Sequence, residues 1–185
     1  MTTPKETICQ QLLLVRCQRG DREAMEELVA VWEKRLFYYV RLIVDQEADA
    51  WDVMQKTWVK VFRRVKSLKD PLSFPCWLYT LTRNTALSHI RQRPGARLAS
   101  DTLDQCEDLP AENDSATVFE DVEAVHDALN RISSDHCEVL TLFFLRDLSI
   151  EEIGRVIGVP QGTVKSRIHY AKRALRILME KEGKR

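Results

Sequence analysis

Apolar residues recur along the first half of the chain at steps of three and four, the period of a helix that buries one face. Two long stripes of this kind predict helices over residues 25–43 and 50–65. A short leading helix over residues 8–19 and a third long helix over residues 75–92 extend the pattern. Residues 66–75 contain two prolines and are predicted to form a loop. The first half is therefore expected to be a helical bundle.

The second half also follows the helical period, and no strand pattern or internal repeat interrupts it. Gly20 and Asp21 mark the first break in the chain, with Asp21 as the N-cap of the helix that follows. A further helical unit begins over residues 122–132, and Asp135 is predicted to cap the next helix, which carries the apolar residues of 139–144. The predicted fold class is all-α, with two small helical domains.

The charge is unevenly distributed although the formal net charge is zero. Residues 1–93 hold sixteen Lys and Arg against eleven Asp and Glu, and residues 155–185 hold nine against two. Residues 98–123 hold nine acidic residues and no basic one. Residues 94–117, rich in Pro, Ala, Ser, Asp and Asn, are expected to form a mobile linker. Two basic ends around an acidic middle indicate two surfaces for a polyanion.

Composition excludes several classes of protein. With 185 residues, 44% of them apolar and 30% charged, the chain resembles an ordinary soluble protein. It contains neither a run of the roughly 18–20 apolar residues of a membrane span nor a signal peptide, so a cytoplasmic location is expected. Five cysteines without a C-x-x-C pair predict free thiols. No metal site or cofactor is expected.

The strongest motif lies in residues 148–178. Ser149 and Glu152 form a capping box, and Gly158 followed by Pro160 predicts a helix end. A second helix is expected from about Gln161, with one apolar stripe that must face the preceding helices. Two helices joined by a tight turn that contains glycine predict a helix-turn-helix, whose second helix enters the major groove of DNA.

The outer face of that second helix is polar and basic, and no acidic residue occurs from residue 155 to residue 179. A basic helical face is often merely solvated, but the turn geometry and the charge together favour DNA binding. The residues expected to contact DNA are Thr163, Lys165, Ser166, Arg167, His169, Tyr170, Lys172 and Arg173.

This segment resembles region four of bacterial sigma factors, especially the small extracytoplasmic-function (ECF) group. The matching residues are Leu148-Ser149, Glu151-Glu152-Ile153, Gly158, Gly162-Thr163-Val164-Lys165-Ser166-Arg167 and Ala171-Lys172-Arg173. Tyr170 stands where the family often has arginine. The resemblance implies that this helix binds the minus-thirty-five promoter element.

Residues 49–55 resemble the family segment that docks onto RNA polymerase. Asp49 and Asp52, three residues apart, are expected to share a helix face, with Gln55 one step further. A solvated acidic turn near a helix N-terminus is the alternative interpretation. Trp51 and Lys56 stand where the family commonly has acids.

Residues 74–91 resemble the family segment that melts the promoter, with Ser88 in place of the usual aspartate. Aromatic, amide and cationic side chains on one helix stripe suit a splayed single-stranded base. For Trp77, packing in the bundle core is the alternative. The residues expected to contact the minus-ten element are Lys66, Lys69, Phe74, Trp77, Arg83, Asn84, Ser88 and Arg91.

The resemblance implies a sigma factor in which residues 1–93 bind core polymerase and open the minus-ten element, residues 94–117 form the linker, and residues 118–185 bind the minus-thirty-five element. The implied partners are core RNA polymerase (its beta-prime clamp and beta flap), promoter DNA and, as is common for small sigma factors, an anti-sigma factor. Such a protein is not an enzyme and has no catalytic residues.

Two other interpretations remain at this point. A homodimeric helix-turn-helix regulator would bind duplex DNA through residues 122–180 without polymerase. A hydrolase using Cys76 or Cys137 with a histidine would need an oriented triad, which the sequence does not contain.

Overall fold

The structure, a computed structural model, describes residues 4–92, 131–145 and 148–182. Every regular element in these ranges is a helix, which confirms the predicted all-α class. The chain divides into two compact units. The predicted linker 94–117 and most of the predicted helix over 122–132 lie outside the described residues, so the domain boundaries stay predictions.

Residues 4–92, which we call the first unit, contain four long helices at the positions that the apolar stripes predict. They are α1 (Pro4–Gln18), α2 (Arg22–Arg41), α3 (Glu47–Arg64) and α4 (Phe74–Arg91), and two 3-10 turns, Val65–Ser67 and Pro71–Ser73, connect α3 to α4. The predicted loop is thus partly ordered by short turns. We call residues 65–73 the connecting segment.

Aromatic side chains from α2 and α4 meet in the core of the first unit. The ring centroids of Tyr39 and Tyr79 lie 5.1 Å apart at 85°, and those of Trp32 and Phe74 lie 5.6 Å apart at 78°. Edge-to-face pairs of this kind add about 0.5–1.5 kcal/mol each beyond burial. The predicted stripe of α3 faces the same core: buried are Ala50, Val53, Met54, Thr57, Val61 and Val65.

The end of α1 and the start of α2 are joined by a cap. Asp21 accepts hydrogen bonds from the Ala24 amide at 3.1 Å and from Arg16 Nε at 2.8 Å, which confirms it as an N-cap. These two donors, the amide first, lower the pKa of the Asp21 carboxyl. Cys17, in the last turn of α1, is 1% exposed. Burial, followed by the charge of Asp21, raises the pKa of its thiol to about 11.

We expect Cys17 to resist alkylation at pH 8, because a thiol with a pKa of about 11 is then ionised in only about one molecule in a thousand. Exposed Cys9 is the internal control. Peptide mass spectrometry after a time course with iodoacetamide should show Cys9 modified first, and Cys17 should react faster as pH rises towards 11. Equal rates for the two thiols at pH 8 would contradict the burial of Cys17.

The described residues after position 130, which we call the second unit, form three helices and a π-helical turn: α5 (Ser134–Leu140), the turn Thr141–Leu145, α6 (Ile150–Ile157) and α7 (Gln161–Glu182). The predicted capping box is confirmed, since the Glu152 amide donates to Ser149 Oγ at 3.2 Å and the Ser149 amide donates to Glu152 Oε2 at 2.9 Å. Gly158 ends α6 with φ of 77°, a conformation that costs glycine little. The helix start at Gln161 is also confirmed.

The predicted cap of α5 is wrong by two residues. Ser133, not Asp135, is the N-cap, and its Oγ accepts a hydrogen bond from the His136 amide at 3.4 Å. Asp135 lies in the first turn of the helix, where its negative charge interacts favourably with the helix dipole. Its carboxylate forms an ion pair with Arg167 on α7.

The described ranges, 4–92, 131–145 and 148–182, contain neither a membrane-spanning helix nor a metal-binding cluster. None of the helices there combines the length and hydropathy needed to cross a membrane. Within the same ranges, no three His, Cys, Asp or Glu side chains are grouped as they would be around a metal ion.

Candidate functional site

The start of α3 presents part of the predicted acidic surface to solvent. Asp52 and Gln55 are exposed, but Asp49 is only 7% exposed. The expectation that Asp49 and Asp52 share one outward face is therefore corrected, because the helix turns Asp49 towards α4. Of the two carboxylates, only Asp52 is placed to meet a partner molecule.

A short chain of polar groups holds Asp49 in place. His89 Nε2 on α4 lies 3.1 Å from Asp49 Oδ1, and Lys56 Nζ on α3 lies 3.2 Å from His89 Nδ1. Since Lys56 can only donate, Nδ1 accepts, and the ring proton on Nε2 is directed at Asp49. These contacts give Lys56 a partner on α4 and explain why a lysine is accommodated at this position.

A second lysine repeats this pattern one turn further along α3. Lys60 Nζ donates to Thr85 Oγ1 at 2.9 Å, and Thr85 Oγ1 donates to the Leu81 carbonyl at 2.7 Å. Lysines on α3 thus bind α4 at two successive turns. The orientation of α4 relative to α3 is fixed by polar contacts as well as by the core.

An aromatic pair flanks the exposed carboxylate. Trp51 is 45% exposed, and its ring centroid lies 4.4 Å from that of Phe37 on α2. Val59 and Phe62, further along α3, are also exposed. Apolar side chains alternating with Asp52 and Gln55 are typical of the mixed surface through which proteins bind other proteins.

The connecting segment carries exposed cations on a locally stabilised backbone. Lys66 and Lys69 are exposed. Asp70 Oδ1 accepts from the Leu72 amide at 3.0 Å, and Ser73 Oγ donates to the Asp70 carbonyl at 2.7 Å. The segment therefore presents its lysines from defined positions.

The outer stripe of α4 is polar. Asn84, Ser88 and Arg91 are exposed, whereas Arg83 is half-buried. Trp77 is also half-buried, with its ring centroid 5.8 Å from that of Phe74.

Phe74 does not belong to this outer stripe. It is fully buried against Trp32, so the expectation that it contacts DNA is corrected: its ring fills the core at the start of α4 and supports Trp77.

On α7, the predicted DNA-binding face is partly exposed and partly held within the unit. Lys165 and Arg173 are exposed, and Thr163 is half-buried. His169 and Tyr170 are half-buried and pack edge-to-face, with centroids 5.6 Å apart. Ser166 Oγ donates to the Thr163 carbonyl at 3.0 Å. The two exposed cations are best placed to reach a phosphate.

Two of the predicted DNA-binding cations are engaged inside the second unit. Arg167 Nη2 forms a 2.9 Å ion pair with Asp135 Oδ2, and the Arg167 side chain is 14% exposed. Lys172 Nζ lies 5.4 Å from the ring centroid of Phe144 and 5.8 Å from that of Phe143. The assignment of Arg167 as a DNA contact is therefore corrected. Its guanidinium joins α7 to the start of α5.

Comparisons with known proteins identify both units. Residues 20–94 match the family Sigma-70 region 2, and residues 128–176 match Sigma-70, region 4. The RNA polymerase sigma-H factor of Pseudomonas aeruginosa is 30% identical, over 89% of this chain and 91% of that protein. The ECF RNA polymerase sigma-E factor of Haemophilus influenzae is 29% identical, over 90% of this chain and 93% of that protein.

A solved structure has the same fold. The sigma factor RpoE from Bartonella quintana, crystallised with the anti-sigma factor NepR, superposes with a TM-score of 0.61 at 24% identity, covering 84% of this chain and 96% of that one.

Proposed function

The chain belongs to the sigma-70 family of transcription initiation factors, and from that premise we propose which of its surfaces meet polymerase and promoter DNA. It is a sigma factor of the ECF group, which directs promoter recognition with core RNA polymerase. Sigma factors are not themselves catalysts, and the proposal assigns no reaction to this chain. Because polymerase works in the cytoplasm, we place the chain there.

Core polymerase binds the exposed face of α3 in this proposal. Asp52 and Gln55 offer a carboxylate and an amide, and Trp51 offers exposed apolar area beside them. A basic helical surface on the beta-prime clamp would complement this face. Asp49 is buried and acts indirectly, because its contact with His89 fixes α3 against α4.

We expect Asp52→Ala and Asp49→Ala to affect different properties. Asp52→Ala should weaken core polymerase binding about fivefold to tenfold, the effect of ~1–1.4 kcal/mol at an interface, and leave the melting temperature unchanged. Asp49→Ala should lower the melting temperature, because His89 loses its partner. Fluorescence titration and thermal denaturation of both variants measure the two effects. The assignment fails if Asp52→Ala binds core polymerase as tightly as the unaltered chain.

The minus-ten element is opened at the surface formed by α4 and the connecting segment. Asn84 and Ser88 supply hydrogen-bonding groups, Arg91 and the two lysines of the connecting segment supply charge, and half-buried Trp77 supplies an aromatic wall. Capture of an unstacked base at such a surface offsets an unpairing cost of a few kcal/mol.

The minus-thirty-five element is bound by α7. Lys165 and Arg173 supply exposed charge for phosphates, and Thr163 lies at the N-terminal end of the helix, which enters the groove first. Each module alone binds weakly. Attachment of both to one polymerase makes the second contact intramolecular and raises its effective concentration.

The observation that carries the proposal is the match of one chain to both regions in sequence order. A duplex-binding regulator would have no use for region 2, so the homodimer interpretation is set aside.

The beta flap is the second polymerase contact that the resemblance implies. We also propose an anti-sigma partner, because the Bartonella quintana sigma factor was crystallised with one. A fraction from the host cell that binds this chain and stops transcription would identify this partner. If no fraction does both, the result would count against the proposed anti-sigma partner.

Run-off transcription on fragmented genomic DNA tests the function directly. Core polymerase with this chain should start transcripts downstream of a shared pair of motifs that core polymerase alone does not use. Transcript starts that do not depend on the added chain would refute the proposal. The same experiment supplies the promoter sequence needed for the tests that follow.

A further inference from the structure

The side-chain amide of Gln18, in the last turn of α1, binds the connecting segment at two places. Gln18 Nε2 donates to the Val65 carbonyl at 3.2 Å and to the Leu68 carbonyl at 2.7 Å. One amide nitrogen carries two hydrogens, so it can serve both oxygens at once. Gln18 is half-buried, and sequence analysis did not select it.

The two carbonyls belong to the peptide groups that precede the two exposed lysines. The Val65 carbonyl is part of the peptide bond to Lys66, and the Leu68 carbonyl is part of the peptide bond to Lys69. Because a peptide group is planar, a bond that fixes its oxygen also fixes the nitrogen of the next residue. The Gln18 amide thus anchors the backbone from which both lysines extend.

The hydrogen bonds of the turn serve the Val65 carbonyl but leave the Leu68 carbonyl without a donor from the turn. The Val65 carbonyl also accepts from the Leu68 amide at 3.2 Å, which closes the first 3-10 turn. Leu68 itself has an extended backbone, with φ of −70° and ψ of 114°, so its carbonyl leaves the turn and Gln18 supplies the donor. The Leu68 carbonyl is therefore anchored from α1, whereas the Val65 carbonyl is held both by α1 and by the segment's own turn.

The backbone just after α1 also lies close to the connecting segment. Gly20 has φ of 88°, and a β-carbon built there would lie 3.8 Å from Lys66 Nζ. The chain at Gly20 therefore passes beside the first lysine while Gln18 holds the peptide groups. Gln18 at the end of α1 and Gly20 just after it thus both lie beside the connecting segment.

We infer that Gln18 is a positioning residue for promoter opening, which holds Lys66 and Lys69 where they meet the phosphates of the displaced single strand. The inference rests on the proposed function, since it gives the two lysines a nucleic-acid partner. Its physical basis is preorganisation. Side chains that extend from a fixed backbone lose less conformational entropy on binding than those on a mobile loop.

The test uses holoenzyme assembled from core polymerase and the full chain. The probe is a fluorescent oligonucleotide with the non-template minus-ten strand of a promoter mapped by run-off transcription. We expect Gln18→Leu to weaken probe binding about tenfold, equivalent to ~1.4 kcal/mol. Gln18→Glu should weaken it further, because a carboxylate has no hydrogen to donate and would face two carbonyl oxygens. Gln11→Leu, on the same helix, is the matched control.

A double-mutant cycle separates positioning from general stability. The variant Lys66→Ala/Lys69→Ala should lose probe affinity, and addition of Gln18→Leu to it should cause no further loss, since Gln18 acts through the two lysines. Core polymerase affinity and the footprint at the minus-thirty-five element should not change.

An additive loss in the cycle would overturn the inference, as would equal losses of probe and polymerase binding in Gln18→Leu. Failure of the proposed function gives a different result. The unaltered chain and Gln11→Leu would then both fail to start transcripts at a promoter, and the two proposals would fall together.

Discussion

Gly154→Val is expected to destabilise the second unit by about 3 kcal/mol or more, the largest structural effect among the predictions. A β-carbon at this position would lie 2.9 Å from the Val159 carbonyl oxygen and 3.7 Å from Val164 Cγ2. The first distance is shorter than van der Waals contact, and the atom approached is backbone, which cannot rotate away.

The backbone around Gly154 has little room to adapt. The Gly154 carbonyl accepts from the Gly158 amide at 2.9 Å and from the Val159 amide at 3.1 Å. These bonds close the turn between α6 and α7, so any shift that relieves the clash breaks them. A variant with this substitution should fail to bind the minus-thirty-five element but should still bind core polymerase through α3.

Urea denaturation followed by circular dichroism measures the loss of stability. Gly162→Val is the matched control, because a β-carbon at Gly162 meets no heavy atom within 4 Å. Valine has a higher helix propensity than glycine, so this control should not lower the stability. If Gly154→Val and Gly162→Val unfold at the same urea concentration, the close approach of the turn is refuted.

The double variant Lys165→Ala/Arg173→Ala should bind the minus-thirty-five duplex about a hundredfold less tightly as holoenzyme, the effect of two lost charge-assisted contacts at ~1.4 kcal/mol each. Both cations are exposed on α7. Loss of two phosphate contacts should also reduce the slope of log affinity against log salt concentration by about two. Fluorescence anisotropy over a range of salt concentrations measures both quantities.

Two controls make this second prediction specific. Arg22→Ala/Lys34→Ala removes the same charge from the exposed surface of α2 and should leave both the affinity and the slope unchanged. Arg167→Ala removes a cation that pairs with Asp135, so it should lower stability and leave the salt slope unchanged. An unaltered slope in the Lys165→Ala/Arg173→Ala variant would show that α7 binds DNA through other residues.

Local patterns in the sequence predicted most of the fold. A helix stripe, an N-cap and a capping box all depend on residues three or four apart, and Asp21 and Ser149 were therefore identified correctly. The cap of α5 was missed because Ser133 and Asp135 are both good caps and lie two residues apart. Periodicity cannot choose between such neighbours.

Pairing between distant residues could not be predicted in the same way. His89 and Asp49 are separated by 40 residues, and no spacing rule connects them. Likewise, Arg167 was assigned to DNA because it is basic and on the expected helix, although a carboxylate on α5 pairs with it. Phe74 lies in the segment that resembles the promoter-melting motif, yet it is wholly apolar and packs into the core. Hydrophobic burial decided its position.

The polar chain from Lys56 through His89 to Asp49 also sets a rule for building hybrid sigma factors. If α3 came from a relative with an acid at the position of Lys56, a carboxylate would lie against His89 Nδ1. Both groups would then be hydrogen-bond acceptors, because Nδ1 accepts from Lys56 in this chain. With no hydrogen between them, the two acceptors would repel each other, and this contact between α3 and α4 would be lost. Exchange of α3 and α4 as one block avoids this mismatch, and the natural boundary for recombination in the first unit therefore lies before α3.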